Sequence, residues 1–285
     1  MDTNQIPYRT ISVHGKLLDL STPRVMGILN VTPDSFYCNS RMQSEKAIAA
    51  RIDEIFEQGA SIIDLGAYSS RPGAADVSEE EEIARLRPAL EEIRRRYPEA
   101  LVSIDTFRSH VAEVCVQEYG ADIINDISAG TLDEHMFDTM AHLQVPYIIM
   151  HMQGTPRTMQ QKPHYTDLLR EIILYMEEKL RMLDALGVKD VIVDPGFGFG
   201  KTLEHNYELL AGLKEFSILQ RPMLVGVSRK SMIYNLLETT PEQALNGTTA
   251  VQTIALMQGA DILRVHDVRQ AMETIRIFSR LPYIP

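Results

Sequence analysis

Carboxylates, amides and cations recur along this chain, each at the end of a short apolar run. They are Asn30, Asp64, Asp105, Asn125 with Asp126, His151, Asp194, Ser228-Arg229-Lys230, and Arg264 with His266. A lone Asp at the end of a strand is ordinarily a turn residue or a helix N-cap. Its repetition after nearly every run weakens that reading, because burying many polar groups is costly unless they bond one another or a polar ligand. The residue types suggest the ligand. Asp and Asn read the N–H and C=O edges of a flat heterocycle through paired hydrogen bonds. The cations gather late in the chain, so the expected ligand carries a polar ring at one end and a phosphate-bearing group at the other.

The stretch DPGFGFGKT (194–202) raises a competing chemistry, since Gly200-Lys201-Thr202 ends like a nucleotide-binding P-loop. That loop needs a glycine where this chain has Pro195, which has a locked φ and no N–H to offer a phosphate. The stretch is therefore read as a tight turn and Lys201 as a cation of structural use. A metal site could be drawn from His151, His266, Asp64 and Asp194, but no H-x-H pair stands on an early strand. Mg²⁺ fits better as a partner of substrate phosphates, held by few protein ligands and several waters.

Eight apolar runs must carry these groups: VMGILNV (25–31), SIIDLG (61–66), LVSIDT (101–106), ADIINDI (121–127), PYIIMHM (146–152), DVIVDP (190–195), PMLVGV (222–227) and DILRVH (261–266). Near-continuous Val/Ile/Leu runs suit parallel strands covered on both faces. Helical patterns alternate with them. Ser78 has capping-box spacing ahead of Ile83, Leu86, Leu90 and Ile93, and Pro88 suggests a kink or restart. Asp167–Leu186 places Ile172, Met176, Leu180 and Leu183 on one stripe, with Gly187 to end it. Eight βα units in 285 residues predict a (β/α)₈ TIM barrel, whose active site lies at the C-terminal ends of the strands. Residues 9–20 read as a small hairpin lidding the barrel's N-terminal end. The expected organisation is one domain over 1–285, with the N-terminal hairpin in 1–24 and the barrel in 25–285.

A net charge of −11 argues against nucleic acid or an anionic membrane as the main partner, while leaving room for a small basic pocket. Cys38 and Cys115 form no framework, which fits a reducing cytoplasm. No signal opens the chain, and no run approaches the ~20 apolar residues of a membrane span.

In order along the chain stand GILNVTPDSF (27–36), SSRPG (69–73), SIDTF (103–107), INDIS (124–128), DPGFGFGK (194–201), GVSRKS (226–231) and RVHDV (264–268). Together they resemble the successive motifs of the dihydropteroate synthases, from about residue 25 to the end. The resemblance implies condensation of (7,8-dihydropterin-6-yl)methyl diphosphate with 4-aminobenzoate, Mg²⁺, a homodimer and inhibition by sulfonamides. It also implies roles. Asp105, Asn125 and Asp194 hold the pterin's edges, Met150 lies against its face, Lys230 bonds it from strand seven, and Phe199 packs nearby. Arg264 and His266 grip the diphosphate, and Asn30 helps hold Mg²⁺ on it. Phe36, Arg71 and Pro72 complete the aminobenzoate pocket, and Ser231 contacts the carboxylate. Ser70 stands where the family commonly has threonine and keeps the hydroxyl, and with it the expected contact with substrate. The catalytic set is Asp105, Lys230, Arg264 and His266, with Asp105 offsetting positive charge on the pterin after C–O cleavage. A corrinoid-dependent pterin methyltransferase would share Asp105, Asn125 and Asp194 but has no use for TPDSF, SRPG and SRKS together. A non-catalytic pterin-binding paralogue would have no use for Arg71, Lys230, Arg264 and His266.

Overall fold

Alternation along the strands sorts the apolar residues into two layers, one facing helices and one facing the barrel axis. The computed structural model describes residues 9–32, 41–68, 77–155, 158–159 and 163–282. Strands β1 (Thr10–Val13) and β2 (Lys16–Asp19) pair as an antiparallel hairpin. The parallel sheet consists of β3 (Arg24–Asn30), β4 (Ile62–Gly66), β5 (Leu101–Asp105), β6 (Ile123–Asp126), β7 (Tyr147–Met150), β8 (Val191–Asp194), β9 (Leu224–Val225) and β10 (Ile262–Val265). Neighbours in sequence pair, β10 returns to β3, and a bridge from Val193 to Met223 joins β8 to β9. The sheet therefore closes into the expected eight-stranded barrel.

Outside it run α1 (Arg41–Glu57), α2 (Glu79–Arg96), α3 (Ser109–Tyr119), α4 (Met136–Leu143), α5 (Leu168–Ala185), α6 (Leu203–Ala211), the single turn α7 (Ser231–Tyr234), α8 (Leu245–Met257) and α9 (Val268–Phe278). On β4, Ile63 and Leu65 join the helix-facing core with Ile52, Leu86 and Leu90. The Ser78 hydroxyl accepts from the Glu81 N–H at 3.3 Å and Asp167 accepts from Arg170 N–H at 3.2 Å, which starts α2 and α5. Gly120 ends α3 with φ 64, a conformation that would cost a side chain with a Cβ. Helix α2 does not restart at Pro88. Its buried stripe of Ile83, Leu86, Leu90 and Ile93 continues on both sides of the proline, and that packing outweighs one missing backbone bond.

The other strand face builds the floor of the site. Met26, Ile62, Ile123, Ile148, Ile192, Leu224 and Ile262 cluster with Ile11, Val13 and Leu20 of the hairpin region. Each such side chain contributes roughly 1.5–3 kcal/mol on burial. The hairpin is tied to the barrel by Ser12 N–H donating to Asp190 at 2.7 Å and by His14 on Asp122 at 2.5 Å. One inward position further along β4 the side chain becomes polar: Asp64 lies level with Ser103 of β5 on one side and with Ile28 of β3 on the other. Among the described residues no helix is long and apolar enough to cross a membrane.

Candidate active site

A cavity of about 700 Å³ opens at the C-terminal ends of the strands, with Asn30, Phe199, Ser228, Lys230, Arg264 and His266 in its wall. Below and beside it lies the inward polar layer. Asp64 is wholly buried, and its Oδ2 accepts from Arg264 Nε at 2.6 Å and from Asn125 Nδ2 at 3.1 Å. The Arg264 Nη2 donates to Asp105 Oδ2 at 2.5 Å. Strands β4 and β5 thus meet β10 at one guanidinium, and β6 joins them through the Asp64 carboxylate. Gly66 supplies the room: a Cβ there would lie 3.2 Å from the Asn30 amide oxygen and 3.4 Å from the Asp105 Cβ.

Burial pushes the Asp105 carboxyl up to about 7, with Arg264 working against the rise and Asp64, Glu82 and Asp126 adding to it. Asp194 is likewise raised by burial, opposed first by Lys230. Its Oδ1 accepts from Gly196 N–H at 2.8 Å. Lys230 donates to the Phe197 carbonyl at 2.5 Å and its Nζ lies 4.9 Å from the Phe199 ring centroid. Burial lowers its pKa to about 8 despite the attraction of Asp194.

The 194–202 turn does not present its lysine to solvent. Lys201 is 3% exposed and donates to the Gly196 and Phe199 carbonyls at 2.9 and 3.1 Å. It also lies 3.1 Å from His151 Nδ1, which gives that histidine a partner inside the protein. Burial brings Lys201 down to about 7, and burial together with Lys201 brings His151 to about 3. At Gly196, φ is 77 and a Cβ would sit 2.0 Å from the His151 carbonyl oxygen, so the chain needs glycine there.

At the rim, His266 Nδ1 lies 3.2 Å from the Ser228 hydroxyl, and its carbonyl accepts from Arg51 at 2.6 Å. His266 reaches solvent at the mouth, yet enclosure by the surrounding protein and then Arg264 hold its pKa down to about 4. Arg229 departs from the sequence expectation that strands seven and eight offer their cations to phosphate. It grips Asp267 through Nε and Nη2, both at 2.8 Å, and Nη1 donates to the carbonyls of Pro241 and Glu242. That fork ties the β9 and β10 loops together. Ser231 begins α7 and is exposed beside Lys230.

Met150 packs with Ile127, Met152 and Met159, and Phe107 and Phe199 lie against them as an apolar wall. Phe36, Ser70, Arg71 and Pro72 lie outside the described residues. Sequence reasoning missed a buried ion pair beside the wall: Glu82, with burial raising its pKa, accepts from Arg108 at 2.7 Å. Arg108 in turn lies 5.3 and 5.2 Å from the ring centroids of Tyr68 and Phe107. The signal was present, since Glu82 falls on the stripe of Leu86, Ala89 and Ile93 and not on the solvent face.

Among the described residues no three His, Cys, Asp or Glu side chains gather as a metal cage. Asn30 offers one amide oxygen at the cavity wall, which suits Mg²⁺ drawing its other ligands from an anionic substrate and water.

Comparison with known proteins agrees with this geometry. The family model described as pterin binding enzyme matches residues 26–266. The dihydropteroate synthase of Escherichia coli is 45% identical over 265 residues, covering 92% of this chain and 93% of that protein. The Haemophilus influenzae enzyme of the same name is 40% identical over 268 residues, covering 93% and 96%. The Yersinia pestis dihydropteroate synthase, solved as a sulfonamide drug complex, superposes with a TM-score of 0.87 at 41% identity, over 95% of this chain and 98% of that one. The Xanthomonas albilineans enzyme with 4-aminobenzoic acid gives 0.89 at 36% identity, over 97% and 99%.

Proposed function

The chain belongs to the pterin binding enzymes, within which it acts as a dihydropteroate synthase, and from that premise we propose how its residues share the reaction. The reaction is a group transfer in folate biosynthesis: (7,8-dihydropterin-6-yl)methyl diphosphate and 4-aminobenzoate give 7,8-dihydropteroate and diphosphate. The observation that carries our assignment is the polar layer of Asp64, Asp105, Asn125, Asp194 and Arg264 above an apolar floor, with Lys230 and His266 at the rim. Asp194 and Asn125 take the hydrogen-bonding edges of the pterin, Lys230 donates to it, and Met150 and Phe199 cover its faces. Arg264 and His266 hold the diphosphate, with Ser228 orienting the His266 ring.

The C–O bond breaks first, and the electron pair leaves with diphosphate. The reduced pterin releases electron density to the methylene carbon, and ionised Asp105 offsets the positive charge in a low-dielectric site. The aniline nitrogen then bonds to that carbon and gives up its proton to solvent water. Asn30 would hold Mg²⁺, which when bound offsets charge on the diphosphate. Ser231, with Phe36, Arg71 and Pro72, completes the aminobenzoate pocket, and the Ser70 hydroxyl contacts substrate. The enzyme works in the cytoplasm as a homodimer. Support for self-association comes from apolar side chains exposed on the adjacent α8 and α9, Met257 at 58% and Ile277 at 73%.

Single-turnover kinetics with saturating para-substituted anilines test the order of events. Cleavage ahead of attack gives a shallow dependence on aniline basicity and a large rate loss in Asp105→Asn. A steep dependence would establish direct displacement instead.

A further inference from the structure

We propose that Asp64 is a positioning residue that fixes which way the Asn125 amide faces, and thereby which edge of a ring the pocket accepts. The inference rests on the reading of the pocket as a pterin site. Asp64 Oδ2 already accepts a hydrogen from the Arg264 guanidinium at 2.6 Å. The Asn125 group 3.1 Å from the same oxygen must therefore be its NH₂, since an amide oxygen there would set two acceptors against each other. Asn125 is nearly buried, and its own Oδ1 makes no hydrogen bond among the described residues. That oxygen is the side left for a ligand, and it accepts only. A ring presenting N–H or NH₂ satisfies it, whereas a ring presenting C=O leaves two acceptors facing each other at a nearly buried amide.

The same carboxylate orients the guanidinium. With Nε on Asp64 and Nη2 on Asp105, the plane of Arg264 is set by two contacts, which limits how its remaining donors can turn. The other Asp64 oxygen, Oδ1, is buried with no partner. This asymmetry distinguishes two substitutions. In Asp64→Asn the amide oxygen must take the Oδ2 place, because Arg264 has only donors, and the NH₂ falls where no other donor opposes it. Asn125 then keeps its orientation. In Asp64→Ala nothing holds the Asn125 amide, and it is free to turn over.

Calorimetric titration with 6-hydroxymethylpterin and with its analogue bearing a 2-oxo group in place of the 2-amino group tests this. The wild type should prefer the amino compound by about tenfold or more, the cost of leaving one buried polar group unpaired. Asp64→Ala should shrink that preference by about threefold or more, leaving the part that Asp194 imposes, and raise KM for the pterin substrate more than it lowers kcat, while Asp64→Asn keeps the wild-type preference. A folded Asp64→Ala with the wild-type preference, losing only thermal stability, would overturn the inference. So would loss of the preference in Asp64→Asn, a result that does not depend on Asp64→Ala folding. A wild type that binds neither pteridine would refute the pocket reading itself, and this inference with it.

Discussion

Removing the guanidinium that joins β10 to β4 and β5 should destabilise the barrel by an amount that grows with pH. Arg264→Ala takes away the partner 2.6 Å from Asp64 and 2.5 Å from Asp105. Breaking a buried ion pair costs about 3–5 kcal/mol, and the Asp105 side chain is 24% exposed, so the lower figure applies. For a chain of this size about 3 kcal/mol corresponds to a fall in Tm of roughly 6–12 °C. The pH dependence follows from Asp105, whose folded pKa of about 7 lies above its ordinary value of 3.8. A raised carboxyl pKa leaves full stability at low pH and takes it away as pH rises through the folded value. Without Arg264 that pKa moves higher still, since the arginine is what lowers it. At pH 5 Asp105 is largely neutral in the native state of both proteins, so the variant loses the Asp64 ion pair and only a hydrogen bond to an uncharged Asp105. At pH 8 the wild type carries an ionised Asp105 against Arg264, while the variant must bind a proton or bury a bare charge. Thermal unfolding at pH 5 and pH 8 measures the two gaps. An equal gap at both, or a larger one at pH 5, would mean that Arg264 does not compensate Asp105.

Asp194→Asn replaces a charged acceptor in the pocket with an amide and loses a charge-assisted bond of roughly 1.5–3 kcal/mol. Pterin affinity should fall about tenfold or more by calorimetry with the melt unchanged, and undiminished affinity would remove Asp194 from the site. Arg229→Lys cannot span both Asp267 oxygens and two carbonyls from a single ammonium. Since Lys230 and Ser231 follow it directly, KM for 4-aminobenzoate should rise by about threefold or more; steady-state kinetics matching the wild type would show the fork to be dispensable.

How far the site can be read from the sequence depends on whether a partner is local or distant. The eight apolar runs and the polar residue closing each one are local facts, and they are enough to call for a barrel with its chemistry at the strand ends. Strand parity carries the reading further: Ile62 and Asp64 share a face, Ile63 and Leu65 the other, so an apolar floor beneath a polar layer is already implied. Pairing between strands is not local. Arg264 stands 200 positions from Asp64 and 159 from Asp105, and no spacing rule connects them. Arg229 shows the consequence. By residue type it counts as a cation for phosphate, yet the fold commits it to Asp267. Pro88 errs in the other direction, because a local rule against proline in helices yields to a stripe of apolar contacts on both sides.

Charge in this pocket is therefore a matter of partners more than of residue types. Arg264 is shared between two carboxylates, Lys230 faces Asp194, and Lys201 is spent on loop carbonyls. The inward layer balances its own charges before any substrate arrives, and burial draws Lys230 and Asp105 towards neutrality as well. A pocket so balanced can hold a neutral pterin ring without burying a net charge against it. The diphosphate then meets Arg264 and the uncharged, hydrogen-bonding ring of His266 at the cavity wall, near the mouth where an anion keeps part of its hydration.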